Sequence, residues 1–358
     1  MSDADKPRSI AKRMPDGWKP PVPAWSAFAS HDGQITIAYY GVQMPIEDSK
    51  QRLASFRTWI SALLVEPDAP ASVEYAEFVD AQGYYTWLVI GYWIKGGQYA
   101  RWSSSDAHER YWQAAERMHG NVGFFREVLS VPFERFETLQ SQPLERAGAA
   151  RACPVLQGPI REHNYWGSMR DRIVASGHDG LDASAVALST DATPPSPRGQ
   201  RVRVEVPANL AVIRSGQAFG DLEGQEKTLY FASVEPALRD GMLFLRDHPS
   251  ETGCLSSRLL QETDAEGHPL PRTFGLLHFV SLRHLEDWAH RHPTHLRIFN
   301  TFIDMAKALG GELKLRLWHE VAVLPDGQQI FEYVNCHSAT GLLARCDPPL
   351  LLASGVSA

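Results

Sequence analysis

One order of elements occurs twice along this chain. In the first half Asp80-Ala81-Gln82-Gly83 leads into an apolar strand from Tyr84 to Trp93, a helical stretch through Trp102, and then Arg126-Glu127-Val128 followed by Phe136-Glu137. In the second half Asp264-Ala265-Glu266-Gly267 leads into a strand around Phe274 to Val280, a helical stretch through Trp288, and then His319-Glu320-Val321 followed by Phe331-Glu332. Upstream, each half has a further strand (Ile35 to Val42; Leu210 to Ser215) and an amphipathic helical pattern (Glu47 to Leu64; Glu226 to Leu245). The order is β-α-β-β-α-β, the split βαβ of ferredoxin-like units. Such a unit covers one face of its sheet with helices and leaves the other bare, so two copies in one chain can cover each other. The expected fold is therefore α+β: duplicated ferredoxin-like repeats forming a pseudo-dimeric α+β barrel, with an antiparallel β core and surrounding helices.

The expected organisation is an N-terminal arm over 1–29, a first repeat over 30–150, a connecting segment over 151–200, a second repeat over 201–346 and a tail over 347–358, all in one compact unit. The prolines Pro194, Pro195 and Pro197 mark the break between the halves, and Trp18, Pro20, Pro21 and Trp25 read as an irregular arm that packs on something.

The halves differ at one chemically telling place, because the first has Arg126 where the second has His319. His319 lies in the alternation Leu313, Leu315, Leu317, His319, Val321, Val323, one face of a strand in which it interrupts aliphatic neighbours. Just upstream, Arg291-His292-Pro293-Thr294-His295 reads as a helix start with proline at the first position, and Leu296, Phe299, Phe302, Ile303 and Ala306 as its buried stripe. That places His295 in the first helical turn, where the positive end of the helix dipole favours a neutral imidazole with a free lone pair. Buried histidines are commonly core residues with satisfied hydrogen bonds. Two on adjacent elements, with no cysteine pair or carboxylate set to complete a tetrahedral zinc shell, suit a planar cofactor with a ligand on one face and an acid/base on the other.

The segment from Arg161 to Arg172 is rich in polar and aromatic groups for a connection, although as a solvated turn it would simply pair Arg170 and Arg172 with Glu162 or Asp171. Ser215 ends the first strand of the second repeat, where its hydroxyl can face the sheet's interior or serve a turn. Trp87, Trp93, Trp102 and Trp112 read as core and repeat-interface packing.

Other classes are poorly supported. The 35 lysines and arginines are thinly spread against 42 acidic residues, which argues against a nucleic-acid footprint. No glycine-rich phosphate loop and no nucleophile elbow occurs. The longest apolar run, around Tyr84 to Ile94, is too short to cross a bilayer, and the N-terminus has no signal-peptide apolar region. Cys153, Cys254, Cys336 and Cys346 are too scattered for a disulfide framework, so a cytoplasmic home is expected. Ferredoxin-like sheets pair readily, which makes a homodimer the default.

On these residues the chain resembles the aldoxime dehydratases, haem enzymes that turn aldoximes into nitriles. The matching stretches are Gly41-Val42-Gln43, the run from Glu162 to Arg172, Ile213-Arg214-Ser215-Gly216-Gln217, His292 to Phe299, Leu315 to Val321 and Phe331 to His337. The resemblance implies one haem b per chain, active when ferrous, with His295 as the iron ligand and His319 as distal acid/base. It implies that Ser215 and Arg172 hold the hydroxyl of an aldoxime whose nitrogen meets the iron. Trp318 stands where some relatives have tyrosine. The alternatives are a haem peroxidase or chlorite-decomposing enzyme on a similar scaffold, a non-catalytic haem-binding protein, and a barrel without a cofactor.

Overall fold

The apolar and alternating runs of the sequence form one antiparallel sheet in the computed structural model, which describes residues 8–27, 33–183, 197–345 and 351–353. The strands are β1 (Gln34–Pro45), β2 (Ser72–Val79), β3 (Tyr84–Trp93), β4 (Gly123–Pro132), β5 (Phe136–Gln140), β6 (Arg201–Val204), β7 (Ala211–Ala218), β8 (Cys254–Thr263), β9 (Pro269–Phe279), β10 (Arg316–Val323), β11 (Ile330–Val334) and β12 (Leu351–Ala353). Their order across the sheet is β12-β6-β11-β4-β1-β3-β2-β8-β9-β7-β10-β5. The run β4-β1-β3-β2 and the run β10-β7-β9-β8 have the same order, and they meet where β2 pairs with β8 through Tyr75, Ala76 and Glu77.

The strand that follows each run is added to the other. β5 comes directly after β4 but pairs with β10, and β11 comes directly after β10 but pairs with β4. Only three residues, Phe133–Arg135, separate β4 from β5, so the link spans at most about 14 Å. A connection that short between strands near opposite edges of the sheet requires the sheet to curl strongly on itself. The concave interior is filled by Tyr39, Leu88, Phe125, Leu260, Phe274 and Tyr333 among others, all fully buried.

Helices cover the convex face: α1 (Ser49–Leu63), α2 (Gln98–Ser103) and α3 (Asp106–Trp112) over the first half, and α4 (Ser168–Arg172), α5 (Gly224–Leu229), α6 (Glu235–Asp247), α7 (Pro249–Thr252), α8 (Leu282–Arg291) and α9 (Pro293–Ala308) over the second. Trp87 and Trp93 on β3 and Trp102 and Trp112 on α2 and α3 are buried together between the sheet and the helices of the first half, as expected of core residues. The helix expected over Glu226 to Leu245 is interrupted by a π turn at Tyr230–Val234 that joins α5 to α6. The arm packs on the connecting segment, with Trp18 Nε1 donating to the His163 carbonyl at 3.0 Å and its ring edge-on to Tyr165. The proline break over 190–196 and most of the tail lie outside the described residues.

Two expectations need correction. The strand carrying His319 starts at Arg316, so Leu313 and Leu315 are not part of its alternation, and Leu317 is exposed. Its opposite side, with Trp318 and Glu320, is buried in the concave interior because a curled, helix-covered sheet is enclosed on both faces. There Arg214 pairs with Glu74 at 2.8 Å and donates to the Tyr92 hydroxyl, and Tyr92 donates to Glu320 at 2.8 Å. The buried stripe of α9 also differs: Met305 is its buried residue, with Ile298, Phe302 and Leu309 packed against the core, whereas Phe299 is exposed.

Candidate functional site

His319 and Ser215 face each other directly across β10 and β7, and Ser215 in turn faces Gly275 across β9. Residues opposite in antiparallel strands share a face, so His319, Ser215 and Gly275 form one row on the convex side. The structure thus turns the Ser215 hydroxyl toward the helices and away from the concave interior. A cavity of about 750 Å³ lies over this row, within the range of ligand pockets. Its other walls come from Met242 on α6, Met169 on α4, Trp288 on α8, and His295 and Ile298 on α9.

His295 is the third residue of α9, whose start follows the expected pattern: Pro293 is at the first position and the His292 side chain caps the Thr294 N–H. Its ring packs edge-on against Trp288, with centroids 4.7 Å apart. Burial pushes its pKa down to about 4, only partly opposed by the nearby Ala289 carbonyl, so the imidazole is neutral near pH 7. Its Nδ1 is buried with no hydrogen-bond partner among the described residues. A neutral ring with an orphaned nitrogen on a largely apolar cavity is unfavourable as a core residue and suited to a metal ligand.

His319 lies on the sheet side of the same cavity. Its Nε2 is 2.8 Å from Arg172 Nη2 and 3.1 Å from Glu137 Oε1. Arg172 Nε also donates to Glu137 Oε2 at 2.6 Å, and Nη1 donates to the Glu162 carbonyl at 2.5 Å. Glu137 is 1% exposed. Burial alone would raise its pKa, but the Arg172 charge and the contacts with His319 outweigh that and hold it below the usual carboxylate range. Arg172 therefore reaches the cavity through His319, with three of its N–H groups committed.

The structure brings His295, His319 and Ser215 together on one cavity with Arg172 just behind them. Arg170 and Arg172 do not make the surface pairs expected of a solvated turn: Arg170 makes a two-pronged pair with Glu286, and Asp171 accepts from Tyr165 and the Arg13 backbone. The residue the sequence did not single out is Glu137. Its only trace was the Phe136-Glu137 and Phe331-Glu332 match between halves, which carried pattern but no role.

The model of the haem-containing dehydratases matches residues 38–342. The chain belongs to that family. Among its similar members is an aliphatic aldoxime dehydratase of Rhodococcus globerulus, 40% identical over 340 residues and covering 94% of each chain. A phenylacetaldoxime dehydratase of Bacillus sp. (strain OxB-1) is 30% identical over 335 residues, covering 93% of this chain and 94% of that one. A crystal structure of an aldoxime dehydratase with butyraldoxime superposes with a TM-score of 0.89 at 38% identity, covering 97% of this chain and 95% of that one. As a haem-containing dehydratase the chain is a lyase, and the cavity between α9 and the sheet offers a neutral imidazole and largely apolar walls that fit a haem.

Proposed function

We propose that this chain dehydrates aldoximes to nitriles and water in the cavity between His295 and the row of His319, Ser215 and Gly275. The observation that carries this reading is His319 Nε2, placed between a permanent donor, Arg172, and a permanent acceptor, Glu137, on the wall opposite a neutral His295. Bound at His295, a ferrous haem supplies a Lewis acid and electron density for the oxime nitrogen.

The protein's own part is proton transfer. In neutral His319 the Arg172 N–H faces the Nε2 lone pair, which leaves the proton on Nδ1. In the imidazolium, Nε2–H meets Glu137. Nδ1 bonds to no described residue and is the nitrogen free to serve the cavity. From the imidazolium, Nδ1–H passes its proton to the oxime hydroxyl as the N–O bond breaks, so water leaves in place of hydroxide. The neutral Nδ1 then takes the proton from the oxime carbon, and the C≡N bond forms as the imidazolium is restored. Ser215, exposed on the cavity floor directly opposite His319, orients the hydroxyl. Arg172 holds His319 and Glu137 in place, and its charge, felt through the His319 ring, favours the hydroxyl oxygen as it gains electron density.

We infer further that β4-β1-β3-β2 and β10-β7-β9-β8 are two ferredoxin-like copies, each completed by a strand from the other; the identical orders and the matched connecting helices support this. The buried thiols Cys153, Cys254 and Cys336 support a reducing, cytoplasmic setting, and no helix among the described residues is long and apolar enough to cross a membrane. Exposed Phe231, Leu243 and Phe299 support a homodimer, which light scattering after gel filtration would detect.

The test of the reaction is nitrile formation by the dithionite-reduced, haem-loaded protein. His319→Ala should keep the Soret band and lose turnover. Nitrile formation at the wild-type rate in that variant overturns the assigned role.

A further inference from the structure

Beside the haem cavity lies a second one of about 550 Å³, between α6 and the splayed ends of β2 and β8. One side chain, Met242, lines both. On the haem side its thioether lies over Gly275: a Cβ built on that glycine would be 2.8 Å from Met242 Cε and 3.1 Å from its Sδ. Gly275 is the next residue in the row beyond His319 and Ser215. Adjacent strands are about 4.8 Å apart, so a substrate whose hydroxyl is held at the first two positions extends its hydrocarbon over the third, onto Met242.

The backbone at this point is clamped on two sides. Ser257 Oγ on β8 donates to the Met242 carbonyl at 2.8 Å, and the neighbouring Gly241 packs so closely on α9 that a Cβ there would be 2.6 Å from Ile298 Cδ1. What can give way is the methionine side chain itself, unbranched and with three rotatable bonds. Behind it the second cavity offers Phe78, Leu255 and Leu259 as apolar surface.

We propose that Met242 is the gate between the two cavities and the residue that sets the hydrocarbon length accepted at the haem. Short chains end against the thioether; longer ones displace it and pass into the second cavity. This rests on the aldoxime reading above, so the test uses a probe that needs no turnover as well as one that does. The probe is a series of n-alkyl isocyanides from methyl to hexyl, titrated against the Soret band of the ferrous holoprotein. The companion assay is kcat/KM over n-alkyl aldoximes of the same lengths.

Met242→Ala should leave the methyl probe unchanged and tighten the hexyl probe by about tenfold, the scale on which an apolar pocket discriminates one methylene. Gly275→Ala should do the reverse, weakening long probes selectively, and Met242→Leu should lie between wild type and the alanine variant. The same ordering should appear in kcat/KM. If long and short probes change equally in both variants, or not at all, the gate is wrong. If the isocyanide ordering holds while no aldoxime is converted, the gate stands and the dehydratase reading falls.

Discussion

In the first half Tyr40 on β1 faces Arg126 on β4, and Arg126 Nε donates at 2.7 Å to Glu332 on β11. In the second half Ser215 on β7 faces His319 on β10, which meets Glu137 on β5. His108 is the third residue of α3, as His295 is the third residue of α9. The two groups correspond strand by strand, with one shift: Glu332 lies directly opposite Arg126, while Glu137 lies opposite Val321, two residues along from His319. In the first half the Tyr40 hydroxyl reaches His108 Nε2 directly at 2.8 Å and Trp59, Trp102 and Trp112 close around the pair. The second half replaces that tyrosine with Ser215, and where Val89 faces Tyr40 it has Gly275 facing Ser215. The pocket is thus made by subtraction. The same frame is a packed core when its central positions are large, and a cavity of about 750 Å³ when they are small.

The largest expected contrast lies between the two helix-start histidines. His295→Ala should abolish haem retention, read as the Soret-to-protein ratio after gel filtration, whereas His108→Ala should keep the haem. A His295→Ala protein that stays fully loaded would break the comparison. Next come the two carboxylates contributed by the exchanged strands. Glu137→Gln and His319→Ala should retain haem and lower nitrile formation by about 10²–10⁴-fold. Glu332→Gln should leave turnover intact and cost about 3–5 kcal/mol in urea unfolding, because Arg126 would remain buried without its charge partner.

A smaller contrast separates the facing residues. Tyr40→Phe removes a hydroxyl bonded to both Tyr99 and His108 and should cost about 1–3 kcal/mol. Ser215→Ala, on an open floor, should change stability by less than about 0.5 kcal/mol while lowering kcat/KM. The finest contrast is in pH. Burial depresses His108 to about 3, and His278 and His295 to about 4, so in this range the unfolded chain binds more protons than the folded one. Apoprotein stability should therefore be fully present above about 6.5 and fall as the pH drops toward 4. Haem bound to His295 should steepen that fall, since protonating the ring also releases the cofactor. Urea midpoints of apoprotein and holoprotein across this range would check both.

Much of this was legible in the residues. The proline at the first position of α9, the alternation of His319, Val321 and Val323 and the order of elements each follow from local sequence, which folding preserves. Arg172 and Glu137 were not readable in that way, because their contacts to His319 join three segments far apart in the chain, and no local pattern encodes such a meeting. Read locally, Arg172 belonged to a polar turn. Glu320 shows a different limit: alternation tells which residues share a face but not that both faces are enclosed, so nothing local marks a carboxylate that is buried beside Tyr92.

The crossing of β5 into the other run of strands has a consequence for how far this protein can be divided. All the residues that face the larger cavity from the sheet belong to the C-terminal half, but the carboxylate that meets His319 arrives from the N-terminal one. A fragment cut at the link between the halves would keep the imidazoles at 295 and 319 while losing Glu137 and Arg172, so any haem it took up would not turn over. The silent half is thus no mere scaffold: it owns one corner of the machinery, and neither piece can be inherited, shuffled or minimised without the other.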